Sequence, residues 1–221
     1  MRAKLLLLAG LLFTAGRPAA ADVTEMAFVL KVSGDAKIKT AKQDWAALLK
    51  GARIRNGDRI KTGENGLVSL VFIDDKALMK IRANSQVEIR GERNAKGIGK
   101  ELAMQIGEAW NKVSPNGPGF RIETPSGVAA VKGTEFYTLV DDQGQTFVYG
   151  IEGLIQLLNE LGEVMVAKGQ MGFSKKGAKP TAVAAARTPD WSMGDEIQEL
   201  NIEFENSDGG KKNLQIKFKK K

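Results

Sequence analysis

Between Gly51 and Glu92 the chain is broken at Asn56-Gly57-Asp58, again over residues 63–66, and again at Asp74-Asp75-Lys76. Short apolar or alternating runs fill the gaps, over residues 59–61, 67–73, 77–81 and 85–90. Asn-Gly supplies the positive φ that tight turns demand, and paired Asp residues cap turns by accepting from their own backbone. Strands that recur about every 8 to 12 residues are the rhythm of a sandwich, roll or barrel. The expected fold is therefore all-β: a sandwich- or roll-like domain of many short, mostly antiparallel strands.

The same reading extends along the chain. Residues 26–31 and 32–39 read as extended, and residues 40–50, which hold Trp45, Leu48 and Leu49, as a loop or a single helical turn. Gly91, Gly97 and Gly99 among Asn and Lys mark residues 91–100 as a loop. Two strands follow over 101–106 and 108–113, and a Pro- and Gly-rich break over 114–119. Six more short strands, over 120–123, 128–131, 135–140, 146–149, 154–158 and 164–166, carry the core to about residue 173. Pro180 and Pro189 in a Lys-, Ala- and Thr-rich setting mark residues 174–199 as a linker, with a short helix expected over 192–199. Beyond it, residues 200–205 and 214–219 alternate apolar and polar positions and are expected to pair as a C-terminal β-hairpin. That pairing would set Glu203 and Glu205 against Lys217 and Lys219, at about 0.2–1 kcal/mol for each opposite-charge pair.

The first 21 residues have the layout of a secretory signal peptide: Arg2 and Lys4, an apolar run from Leu5 to Phe13, then Ala19, Ala20 and Ala21. The run is well short of the roughly 20 residues that span a bilayer, so cleavage after Ala21 is expected. Loss of Arg2, Lys4 and Arg17 would lower the net charge of +7 to about +4. The organisation expected is thus a signal peptide over 1–21, a β domain over 22–173, a linker over 174–199 and a hairpin over 200–219. No transmembrane span is expected in the mature chain, because charges interrupt every later apolar run.

The 221 residues include no Cys and no His. That removes the thiol nucleophile, the thiolate zinc site and the usual general base, although carboxylate pairs and Ser-Lys dyads need neither. Ser126 and Lys132 sit on one β segment where spacing does not make them neighbours, and no G-x-S-x-G elbow accompanies them. Asp74-Asp75 and Asp141-Asp142 lack the dense oxygen donors of a calcium loop and read as hairpin tips. Gly97-Ile98-Gly99-Lys100 departs from a phosphate loop, with Glu101 where a Ser or Thr would reach magnesium. No enzyme, no cofactor and no metal are expected. Trp45 and Trp110 are expected to fill the core. Trp191, Lys217 and Lys219 are the candidate partner-binding residues, on the basic tail or just before it.

The run from Gly51 to Glu92 resembles the core of the FecR domain: Gly57-Asp58, Ile60, Thr62, Leu70, Phe72, Asp74, Leu78, Ile81, Ser85, Val87 and Ile89 sit at its pattern positions. A second half is similar too, through Gly107 before Val113, Thr124-Pro125, the run from Val131 to Phe136 with Gly133 and Thr134, then Gly153 and Gly169. The resemblance spans residues 28–173 and implies a periplasmic domain whose signature residues Gly57, Asp58, Thr62, Phe72, Asp74, Gly133, Thr134, Gly153 and Gly169 are structural. Family anti-sigma regulators place a sigma-binding segment and a transmembrane helix before this domain. Only Met1 to Lys4 precede the apolar run here, so direct sigma regulation is not expected. The expected function is a non-enzymatic exported module that binds another envelope protein, peptidoglycan or lipopolysaccharide, and no nucleic acid. The alternative is a periplasmic sensor, related to iron-uptake regulation, that acts through a separate membrane protein.

Overall fold

The computed structural model describes residues 25–94, 97–186, 199–205 and 211–217. Seventeen strands form one continuous hydrogen-bonded network, which folds into two layers joined through a shared strand. The front layer runs, in spatial order, β4 (Arg53–Arg55), β1 (Glu25–Ser33), β6 (Leu67–Phe72), β7 (Leu78–Ile81), β9 (Gly97–Lys112), β12 (Glu135–Val140), β13 (Thr146–Glu152), β16 (Gln170–Ser174) and β17 (Thr181–Ala184). The back layer runs β3 (Ala46–Ala47), β2 (Ala36–Lys39), β5 (Asp58–Thr62), β8 (Gln86–Asn94), β9 again, β10 (Phe120–Thr124), β11 (Gly127–Val131), β14 (Leu154–Asn159) and β15 (Gly162–Ala167). All pairings are antiparallel except β9 with β10, which is parallel. The all-β, sandwich-like expectation holds.

Each layer turns one face inward, where alternate residues of the strands meet. Leu70 and Phe72 of β6 and Met79 and Ile81 of β7 face Ile60 of β5, Val87 and Ile89 of β8, and Ile122 of β10, all fully buried in one cluster. Three rings bind the layers together edge to face: Phe72 to Phe120 at 5.8 Å and Phe120 to Phe136 at 6.3 Å between centroids. Offset or edge-on pairs of this kind contribute about 0.5–1.5 kcal/mol each beyond their burial.

Four details differ from the sequence reading. Residues 91–94 and 97–100 are not a loop: they are the facing ends of β8 and β9, paired from Gly91↔Lys100 to Asn94↔Gly97. Gly91 is there because the strands approach closely, since a Cβ would sit 2.2 Å from the Met26 methyl and 2.6 Å from the Gly99 carbonyl oxygen. The two strands expected over 101–113 are one 16-residue strand, β9. Residues 40–50 contain a two-residue strand, β3, rather than a helical turn, and Leu48 is drawn into the core. The expected linker carries β17, which pairs with β16 from Gln170↔Ala184 to Phe173↔Thr181.

The C-terminal hairpin forms a sheet of its own from β18 (Glu199–Glu205) and β19 (Lys211–Lys217), in another register than expected. Leu200 stands opposite Ile216 and Ile202 opposite Leu214, so Glu199 meets Lys217, Glu203 meets Asn213 and Glu205 meets Lys211. This register keeps Leu200 and Ile202 opposite apolar partners and sets Phe204 opposite Lys212. The signal peptide, the expected helix from residue 192 to 198, Trp191 and Lys219 lie outside the described residues. Among the described residues no helix is long and apolar enough to cross a membrane.

Candidate functional site

Among the described residues, the two layers leave four strands with a ladder on one side only: β3 and β4 at one end, β15 and β17 at the other. Such edges offer unpaired backbone groups to other chains, and natural sheets blunt them with charge, proline or brevity. β3 is two residues long. β4 carries Arg53 and Arg55, which reach Glu25 at 2.9 and 4.0 Å. β15 carries Glu163, tied to Gln156 at 2.6 Å. β17 reads Thr-Ala-Val-Ala with no charge, and its Val183 is 52% exposed. Leu154, Leu161 and Met165 are exposed at the same end of the sandwich, on or between the last strands of the back layer. The end formed by β15 and β17 is therefore apolar and, along β17, uncharged.

The signature residues sit in turns, at close strand approaches and in the core. Gly57 turns the chain ahead of Asp58, whose buried carboxylate accepts the Arg55 amide at 2.8 Å. Burial raises the Asp58 carboxyl above its ordinary range, against the Arg55 amide and charge that pull it down. Thr62 accepts the Ser85 amide at 2.9 Å and donates to the Arg82 carbonyl at 2.5 Å, which ties β5 to the turn before β8. Thr134 donates to the Leu154 carbonyl at 3.3 Å, beside Gly133 and Gly153, and Gly169 returns the chain with its amide on the Gly150 carbonyl at 2.8 Å. Phe72 is the first of the three core rings.

Asp74 belongs to a cluster that sequence reasoning missed. Lys100 has a fully buried side chain whose ammonium lies 2.8 Å from Asp74 and 2.8 Å from Asp75, and 5.5 Å above the Phe72 ring. Asp74 also accepts the Ile98 amide at 2.8 Å, and Asp75 accepts the Ala77 amide at 3.0 Å. Burial pulls the Asp74 carboxyl up, but the Lys100 ammonium and the Ile98 amide outweigh it, and the group rests below its ordinary value. The signal was legible in part: Ile98, Leu102 and Met104 alternate inward along β9, and Lys100 shares their parity.

Ser126 and Lys132 do not come together as a dyad. The Ser126 hydroxyl is buried, 2.8 Å from that of Thr146, and donates to the Ser174 carbonyl at 2.9 Å, while Lys132 is exposed beyond the far end of β11. This hydroxyl network floors a shallow groove of about 750 Å³ rimmed by Glu123, Pro125, Leu158, Glu160 and Lys176. The Glu101 carboxyl beside Glu123, and then burial, raise the latter above its ordinary range, against Arg90 at 3.3 Å. Asp141 caps its turn through the Gln143 and Gln145 amides at 3.0 and 2.8 Å. Among the described residues no group of His, Cys, Asp and Glu could hold a metal.

The tryptophans depart from expectation. Trp110 is on the outer face of the front layer, with its indole N–H donating to Glu135 at 3.2 Å and Lys80 4.8 Å over its ring. Trp45 is 37% exposed. Neither fills the core, whose large positions are taken by phenylalanine rings. Lys217 is the last residue of β19, opposite Glu199.

The model of the FecR protein family matches residues 58–156, inside the stretch on which the resemblance rests. Two crystal structures of a candidate anti-sigma factor from Parabacteroides distasonis, at 2.50 and 1.65 Å resolution, are similar at 13% identity and a TM-score of 0.49. Each covers 57% of this chain, and the chain spans 59% of theirs. No curated protein matches the sequence.

Proposed function

From the FecR match over residues 58–156, we propose that this chain is an exported, non-enzymatic interaction module of the bacterial envelope that takes an extended strand of an envelope protein onto β17. The observation that carries the reading is the contrast among the four edges: β17, which follows Pro180, runs four residues without a charged side chain, whereas β4 and β15 carry charges and β3 is two residues long. Strand addition draws affinity from main-chain hydrogen bonds and specificity from side chains at alternate positions. Val183, and Met171 beside it on β16, supply an apolar position of that kind. The Ala-rich leader supports export, and the engaged Ser126 hydroxyl with the absence of Cys and His supports a role without catalysis.

The test is capture of envelope proteins by the mature chain and by a Val183→Lys variant. A lysine on the edge should lower capture at least about ten-fold, equivalent to about 1.4 kcal/mol, with an unchanged melting temperature. Equal capture by both forms rejects β17 as the site. A second reading, a periplasmic sensor acting through a separate membrane protein, draws support from the family match. It predicts that the captured protein is a signalling component, and that deleting this chain alters its output. Peptidoglycan or lipopolysaccharide recovered in place of a protein would move the reading to a surface-binding role.

A further inference from the structure

The outer face of the front layer looks away from the core, yet part of it, on β1, β6 and β12, is buried. Cross-strand registers place Phe28, Val71 and Leu78 in one row, and Lys31, Ser69, Lys80, Trp110 and Tyr137 in the next. Alternation puts these residues opposite Val29, Leu70, Met79 and Phe136, which belong to the core. Nevertheless Val71 is 0% exposed, Phe28 and Leu30 4%, Ser69 7% and Tyr137 8%. The second row continues through Tyr149 and Met171 to Val183, where exposure reaches 52%. Burial on this face is thus local to β1, β6 and β12, with half-buried Leu78, Lys80 and Trp110 of β7 and β9 between them. Every strand of the domain belongs to one layer or the other, so no third layer of the domain accounts for it.

We infer that the outer face of the front layer is the docking surface for the chain's own C-terminal segment, residues 190–205. The chemistry of the two sides matches. The segment bears Asp190, Asp195, Glu196, Glu199, Glu203 and Glu205, with no Lys or Arg between Arg187 and Lys211, interleaved with Trp191, Met193, Ile197, Leu200 and Ile202. The face sets Phe28, Val71 and Leu78 beside the cations Lys31, Arg53, Lys80 and Arg82, of which Arg53 also pairs with Glu25 at 2.9 Å and Arg82 with Glu108 at 3.7 Å. The other terminal stretch, residues 1–24, offers Arg2, Lys4 and Arg17 to the same cations, and most of it goes with the leader. Reach is no obstacle: fourteen residues separate β17 from β18, roughly 45 Å when extended. From β17 to β12 is three strand spacings, about 14 Å. A hairpin alone is marginal in water, so an apolar face that covers it serves both parts. The inference is independent of the β17 site, which lies at the exposed end of the same layer.

The experiment uses the full mature chain with a photoreactive benzoylphenylalanine at Tyr137 or, in a second variant, at half-buried Trp110. Trypsin releases residues 188–211 as one peptide, because no Lys or Arg interrupts it. The expected result is an intrachain adduct to that peptide from either position, and none from a control at exposed Lys61 on the back layer. Adducts to residues 22–39, adducts between two chains, or no adduct from either position would overturn it.

Discussion

At the residue scale the most consequential side chain is Lys100. It holds two carboxylates from a hairpin tip 26 residues away, with its own charge out of water. Removing one partner of a buried pair leaves an uncompensated charge, so Lys100→Met is expected to cost about 3–5 kcal/mol in urea unfolding. A replacement of a whole triad by apolar groups carries no such penalty, and Lys100→Met combined with Asp74→Asn and Asp75→Asn should recover part of the loss. Acid acts on the same cluster. Asp74 is depressed, so its contribution is complete above the ordinary carboxylate range near pH 4 and is lost as pH falls through its lower folded value. Asp58 has the opposite sign: burial raises it, so its contribution is present below that range and is lost as pH rises through its higher folded value. Asp58→Asn should therefore remove a decline in stability above about pH 4 while keeping an acceptor for the Arg55 amide, as chemical denaturation across pH 3 to 7 would reveal. A steeper decline in the variant would contradict the assignment. The turn roles of Gly57, Asp58 and Thr62 were legible because they act within their own neighbourhood. The ion cluster was not, because Asp74 and Lys100 come together only through the layer pairing.

At the scale of single elements, β9 organises the fold. Its first part pairs with β8 and β10 in the back layer and its last part with β7 and β12 in the front layer. The crossing falls at Gly107, whose φ is 105° and where a Cβ would lie 2.1 Å from the Ser85 hydroxyl oxygen and 2.4 Å from the Ser85 Cα. No L side chain takes that conformation without strain, and Ser85 cannot withdraw because its hydroxyl accepts the Glu108 amide at 3.0 Å. Gly107→Ala should therefore destabilise by at least about 1–3 kcal/mol, measurable as a drop in melting temperature, while Gly177→Ala at an open turn should cost less. Short strands bounded by turn residues were read well from sequence. β9 was split and the β8 end was lost, since glycine marks both a turn and a close approach of strands, and only the neighbouring backbone tells the two apart. β17 was hidden in the same way by its Ala- and Pro-rich surroundings.

Across the whole molecule, the period-2 pattern was enough for the class of fold because alternation between core and solvent is a property of each strand alone. The order of strands and the division into two layers were not, since both depend on pairings such as β1 with β6 and β9 with β12 between distant segments. The open end of the sandwich was out of reach for a related reason: an edge is defined by the neighbour it lacks. A partner strand on β17 would make that edge an edge in use. The direct measurement is photo-crosslinking in living cells with benzoylphenylalanine at Val183 of the full chain, and at Arg55 on the guarded edge as the comparison. A single envelope protein joined at position 183 and absent at position 55 is the result expected. Equal adducts at both positions, or adducts at position 55 alone, would contradict a binding site on β17.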